Sequence, residues 1–200
     1  MAGSLGLSFR PKPKSHPISL TEEARRVAAE ADCLYAEAEV DAAIERMADA
    51  ITARLADSNP VVVSVLNGGI LPTAKLVLKL RFPLELDSLK AGRYQGETRG
   101  NEMRWIHRPA ISLEGRTVLI VDYILDEGIT LAEIRRWCLA QGAAAVYTAV
   151  LVNKRLGLEK PCTPDFVGLE AENRYLFGYG MDYKGYLRNW PGIYACKTVY

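Results

Sequence analysis

The sequence predicts an α/β protein: a mostly parallel twisted sheet flanked by helices, with a small hood built from the two ends of the chain. Three observations lead there. Near-continuous apolar runs occur at Val61–Leu66, Val118–Val121 and Ala144–Val152, as in strands buried on both faces. Other stretches carry apolar residues at helical spacing, most clearly Val40, Ile44, Met47, Ile51 and Leu55. The central run then passes through acids and a glycine into a helix-like segment. Alternating β and α elements with right-handed crossovers yield a parallel sheet.

Chain-wide properties narrow the function classes. Two hundred residues are enough for a sizeable core in one domain, and a net charge of +1 points to neither nucleic acid nor membrane. Cys33, Cys138, Cys162 and Cys196 are scattered without CxxC spacing, which argues against zinc and for buried thiols in a reducing compartment. No apolar run has the length of a signal peptide core or a membrane span, so a cytoplasmic protein is expected.

Taken in order, residues 1–17 are rich in Pro, Lys and Ser and read as a mobile arm ahead of a single domain over 18–200. A helix is expected at about 21–32, with Thr21 near its cap and Glu22 and Glu23 in its first turn. The helix at 39–56 ends at Asn59-Pro60. The strand Val61–Leu66 leads into Asn67-Gly68-Gly69 and a helix at 71–80, with Pro72 tolerated in its first turn. Glycines at such a corner let backbone approach a ligand, although an ordinary tight turn has the same sequence. Two short strands, 84–90 and 102–107, flank a polar loop carrying Gly92, Gly96 and Gly100. His107 reads as a surface or sheet-edge histidine, and His16 lies in the arm. Gly142 ends the helix after the central run. The strand at 144–152 then gives way to a loop beginning at Asn153-Lys154-Arg155, and 164–168 leads into another short strand. The hood draws on about 18–38 and 153–200.

The central stretch, Arg116–Leu131, carries the chemistry. Its apolar run ends at Asp122, a second acid follows at Asp126, and Gly128 and Thr130 open a helix whose apolar positions include Leu131, Ile134 and Cys138. Carboxylates and free helix N–H groups at the carboxyl edge of a sheet suit a phosphorylated ligand and a cation.

VLIVDYILDEGITL resembles the phosphoribosyl-diphosphate (PRPP) motif of the type I phosphoribosyltransferases: strand, two acids, two apolar residues, then Asp-Thr-Gly-x-Thr. Tyr123 stands where the second acid usually is, and Glu127 replaces Thr. The tail resembles the purine hood of the hypoxanthine-guanine branch, with PDFVG at 164–168, YLFGYGMDY at 175–183, and Arg188 following. These matches span about residues 35–196 in the family's order.

The resemblance implies a Mg²⁺-dependent transfer from PRPP to hypoxanthine or guanine, giving IMP or GMP and pyrophosphate. Asp126 becomes the general base. Asp122, Tyr123, Asp126, Glu127, Gly128, Ile129 and Thr130 surround the ribose and 5′-phosphate. Leu66, Asn67, Gly68 and Arg188 meet pyrophosphate, with Leu66-Asn67 as a cis peptide, and Arg93 and Tyr94 sit on a lid. Lys154, Tyr175, Leu176, Met181 and Asp182 hold the purine, and Asp122 and Asp182 face the metal. Lysine offers three donors and no acceptor, which favours a 6-oxo over a 6-amino purine. A homodimer or homotetramer is expected. Tyr123 and Glu127 keep a second reading open, a non-catalytic sensor of PRPP or purine nucleotide.

Overall fold

The computed structural model describes residues 19–93 and 103–198. The elements run α1 (Leu20–Glu30), β1 (Asp32–Tyr35), α2 (Glu37–Leu55), β2 (Val61–Val65), α3 (Ile70–Val77), β3 (Glu85–Arg93) and β4 (Met103–His107). They continue as β5 (Thr117–Leu125), α4 (Ile129–Ala140), β6 (Ala145–Arg155), β7 (Phe166–Glu172), β8 (Leu176–Phe177) and β9 (Ile193–Ala195). The expected arm, with His16, lies outside the described residues, as does Tyr94.

The six-stranded sheet has the order β4-β3-β2-β5-β6-β7, and only the β3–β4 pair is antiparallel. Alternate residues of β2 and β5 enter two different cores. Val62, Leu119 and Val121 pack with α2 and α3, while Val61, Val63, Val118 and Ile120 pack with Leu131, Ile134 and Cys138 of α4. Both faces are apolar, which is why these strands show no alternation in sequence. From β2 the chain crosses outward to β3, and from β5 it crosses the other way to β6. The β2–β5 boundary is therefore the switch point of the sheet, where open α/β folds place their ligands.

The ends of the chain meet in a second sheet of order β1-β9-β8. Its core joins Ala24 and Val27 of α1 to Phe177, Tyr183, Leu187 and Cys196. This is the expected hood.

Several expectations need correction. The cap of α1 is Ser19, not Thr21: its hydroxyl accepts from the Glu22 N–H, and the Glu22 carboxylate accepts from the Ser19 N–H, a reciprocal capping box. The central strand does not stop at Asp122 but runs to Leu125, because the β6 ladder continues through Asp122↔Val150, Ile124↔Val152 and Leu125↔Asn153. For the same reason Asn153-Lys154-Arg155 is strand rather than loop, paired to β7. Cys33 is exposed, whereas the other cysteines are buried as expected. His107 lies on the edge strand, 3.3 Å from the Ser88 hydroxyl. No described helix is long and apolar enough to cross a membrane.

Candidate active site

The turn after β2 is built for close backbone approach. Its Leu66–Asn67 peptide is cis, as the resemblance implied. Gly68 and Gly69 are both buried. A Cβ on Gly68 would lie 2.0 Å from Cδ1 of Tyr123, and one on Gly180 (φ +100°) would lie 2.0 Å from the Gly68 carbonyl oxygen. The turn is thus held between the Tyr123 ring on one side and the hood backbone on the other.

At the end of β5, Asp122 is 7% exposed, and its Oδ1 accepts from the Tyr123 N–H at 2.7 Å. Burial pushes its carboxyl pKa up to about 7, only partly opposed by that hydrogen bond. Burial also pushes the Tyr123 phenol up to about 12, aided by the Asp122 and Asp182 charges and opposed by the nearby Arg188 guanidinium. Asp126 and Glu127 are exposed beyond the strand. Gly128, at φ +80°, is the N-cap of α4 and supplies no side-chain cap. The N–H groups of that first turn are therefore available to an anion. Residues 122–131 together line a hollow of about 290 Å³.

A second hollow, of about 210 Å³, is lined by Tyr123, Ile124, Asp126, Lys154, Tyr175, Leu176, Met181 and Asp182. Tyr123, Ile124 and Asp126 line both, so the two adjoin at the end of β5. Lys154 is 8% exposed and reaches Asp126 Oδ2 at 3.0 Å. Tyr175 is 42% exposed and meets Tyr183 edge-on, with ring centroids 5.5 Å apart. Asp182 pairs with Arg188 at 2.7 Å and accepts from the Gly185 N–H at 2.8 Å. Arg188 also donates to the Gly180 carbonyl at 2.6 Å.

Most of the sequence-predicted residues line these two hollows; Leu66, Asn67 and Gly68 line neither, and Gly68 is placed beside them by the Tyr123 ring. Arg188 is turned toward Asp182, Gly180 and Tyr123 and lines neither hollow. Arg93 ends β3, and its side chain lies outside the described residues along with Tyr94. A third hollow, of about 320 Å³, contains none of the predicted residues, and its arginines are already paired: Arg155 with Glu170 and Arg174 with Asp32.

Sequence reasoning missed Ile124, Gly180 and Lys160. Ile124 looked like strand filler, and Gly180 had the cue of a glycine set between two tyrosines and an acid. Lys160 sits in a charged loop with no pattern to mark it, yet its ammonium contacts three oxygens at the base of the site. Burial draws that ammonium below its ordinary range, while Asp126 and Glu170 pull the other way.

Among the described residues no group of three or more His, Cys, Asp or Glu could enclose a metal. That suits Mg²⁺, which is commonly held by one or two carboxylates together with substrate phosphates. Asp122 fits such a role through its second oxygen. Asp182 fits less well, because Arg188 and the Gly185 N–H engage both of its oxygens.

A crossover corner that offers helix N–H groups and acids beside a hollow lined by Tyr175 suits a ligand carrying both a phosphate and a flat ring. A sequence model of the phosphoribosyl transferase domain matches residues 30–184, and the chain belongs to that family. It is 31% identical over 169 residues to a hypoxanthine-guanine-xanthine phosphoribosyltransferase of Tritrichomonas foetus, covering 84% of this chain and 92% of that protein. It is also 31% identical over 160 residues to a hypoxanthine-guanine phosphoribosyltransferase of Streptococcus pneumoniae, covering 80% of this chain and 89% of the relative. A solved hypoxanthine-guanine-xanthine phosphoribosyltransferase superposes with a TM-score of 0.76 at 28% identity, over 84% of this chain and 97% of that one. A Staphylococcus aureus hypoxanthine phosphoribosyltransferase shares the fold, with a TM-score of 0.80 at 23% identity over 85% and 94% of the two chains.

Proposed function

We propose that the protein joins N9 of hypoxanthine or guanine to C1′ of PRPP and expels pyrophosphate, a purine-salvage transferase. The observation that carries this is the pair of adjoining hollows at the end of β5: one runs along the N-terminus of α4, and the other is lined by Asp126, Lys154 and Tyr175, with Lys154 reaching Asp126. The named activity of the relatives supports it.

Each residue then has a role that follows from its chemistry. The backbone N–H groups of residues 127–130, with the Thr130 hydroxyl, hold the 5′-phosphate. The backbone of Leu66, Asn67 and Gly68 meets the pyrophosphate, and Arg188 joins it on leaving Asp182. Tyr175 stacks on the purine, and the Lys154 ammonium donates to the 6-oxo group. An adenine amino group would leave that buried donor unmatched, a mismatch that discriminates strongly. The backbone at Leu176 and Asp182 meets the Watson–Crick edge, beside Met181. Asp126, oriented by Lys154, accepts or relays the proton at purine N7. Asp122 holds the ribose diol and the Mg²⁺-bearing face. Mg²⁺, when bound, neutralises the charge that builds on the leaving pyrophosphate.

The test is incubation with PRPP, Mg²⁺ and each of hypoxanthine, guanine, xanthine and adenine, following nucleotide and pyrophosphate together. IMP or GMP formation is expected, with adenine inert. Xanthine is left open by Lys154, and one relative is named for that base. Light scattering on the same sample reads the expected homodimer or homotetramer. One observation favours a second reading, a sensor that binds PRPP or nucleotide without turnover. The Tyr123 ring covers Gly68 where the family carries an acid. Binding of GMP without any product from PRPP would select the sensor.

A further inference from the structure

We infer that Lys160 is a positioning residue that clamps the two ends of the site together from behind. Its ammonium donates to the Leu125 carbonyl at 3.0 Å, the Asn153 side-chain oxygen at 2.8 Å and the Lys154 carbonyl at 2.5 Å. An ammonium has three N–H donors, so its capacity is filled.

The place of these acceptors gives the clamp its meaning. The ladder between β5 and β6 ends at the pair Leu125↔Asn153. Past that pair no ladder bond between the two strands fixes the chain, yet Asp126 and Lys154 lie just there. Lys160 takes over where the ladder stops, gripping the carbonyl that precedes Asp126 and the carbonyl of Lys154 itself. Its stem also covers the start of α4: a Cβ on Gly128 would lie 3.4 Å from Lys160 Cβ. One side chain therefore bears on the base, the purine-reading lysine and the phosphate turn.

Lys160 is half-buried and lines neither hollow, so it touches no substrate. Its influence runs through the 3.0 Å Asp126–Lys154 pair. If that pair shifts by about 1 Å, a loss of order a hundredfold in rate is within reach of misorientation alone.

This inference rests on the proposed transfer reaction for its kinetic consequence but not for its structural one, and the experiment separates the two. Lys160→Met keeps the stem and removes the three donors. The variant is compared with wild type by steady-state kinetics and by amide hydrogen exchange. The expected result is a fall of about 30-fold in kcat, with KM for PRPP and for base each changing less than about threefold. Exchange at residues 152–154, the last rungs of β6 between β5 and β7, should quicken at least about tenfold, while that at 118–121 stays as in wild type. A residue that served only global stability would move both segments and leave kcat intact in the folded fraction. Unchanged exchange at 152–154, or unchanged kcat in an active enzyme, overturns the inference. If wild type itself forms no nucleotide, the proposed reaction fails instead, and the exchange pattern alone decides on the clamp. Should Lys160→Met not fold, Lys160→Arg is read in the same way, because its planar guanidinium cannot aim three donors at these converging oxygens.

Discussion

The contact between Gly68 and Tyr123 can be tested without any assumption about activity. In Gly68→Ala the new Cβ would sit 2.0, 2.2 and 2.6 Å from Cδ1, Cε1 and Cγ of Tyr123. Carbon atoms pack at about 3.5–4.0 Å, so the ring must retreat by about 1.5–2 Å. It has little room to do so. Its hydroxyl end lies near Arg188, which Asp182 and the Gly180 carbonyl hold in place. Overpacking of this kind costs about 1–3 kcal/mol, and we expect the upper half of that range here. Tyr123→Ala, which removes a half-buried ring, should cost about 2 kcal/mol by itself. In the double variant the methyl enters the space that the ring has left, so the two losses should not add. A double-mutant cycle from urea unfolding should give a favourable coupling of about 2 kcal/mol. Additivity within about 0.5 kcal/mol would show that Tyr123 does not lie over the turn, and the structural account of this corner would be wrong.

Three further outcomes follow from the same geometry. Tyr123→Asp places a carboxylate beside buried Asp122 and near Asp182. It should lower the melting temperature in EDTA and reduce the Mg²⁺ needed for half-maximal activity several-fold, and unchanged Mg²⁺ and PRPP dependence would contradict this. Lys154→Met should cut kcat/KM for hypoxanthine by about a hundredfold while changing PRPP affinity only a few-fold, and an equal loss for both substrates would remove Lys154 from the base pocket. Asp87 accepts the N–H groups of Ser88, Ala110 and Ile111 at 2.7, 2.8 and 2.9 Å. Burial works against its ionisation, but these donors, with His107, outweigh it and hold its pKa below the ordinary value. Its stabilisation is therefore present above the unfolded pKa of about 3.9 and lost as pH falls through the lower folded value. Asp87→Asn should be less stable than wild type at pH 7, and the gap should close in acid; a pH-independent gap would refute the assignment.

What could be read from the sequence divides along physical lines. The central strand was legible because Val118–Val121 are buried on both faces, and a two-sided strand leaves an unbroken apolar run. The site acids were legible because they sit at the end of that run, and the hood because its string of tyrosines and glycines resembles the family's. The end of β5 was misread because an aspartate looks like a terminus, although the β6 ladder carries the strand past Asp122 to Leu125 in unchanged register. β1 was missed because four residues, Asp32–Tyr35, hold no period of their own and become a strand only by pairing with Ile193–Ala195 at the far end of the chain. Lys160 was invisible for a related reason: each of its partners is a backbone or amide oxygen supplied by the fold, and no residue type marks where those oxygens will converge.

The departure at Tyr123 is better understood from the structure than from the motif. In the motif it is simply a lost acid, one carboxylate fewer beside Asp122. In the fold its ring also packs on the turn at Gly68 and lies near Arg188, the arginine expected to meet pyrophosphate. These two effects differ in weight. The Arg188–Asp182 pair has side chains 32% and 28% exposed, and a pair so open to solvent contributes about 1 kcal/mol at most. A bound polyanion offering bidentate contacts outcompetes that easily, so the pairing of Arg188 is no argument against catalysis. The ring is different, because it occupies volume against the turn at Gly68. The choice between transferase and sensor therefore turns on the ring rather than on the missing charge. Tyr123→Phe, which keeps the volume and drops the hydroxyl, should behave like wild type in turnover, whereas a smaller residue there should not.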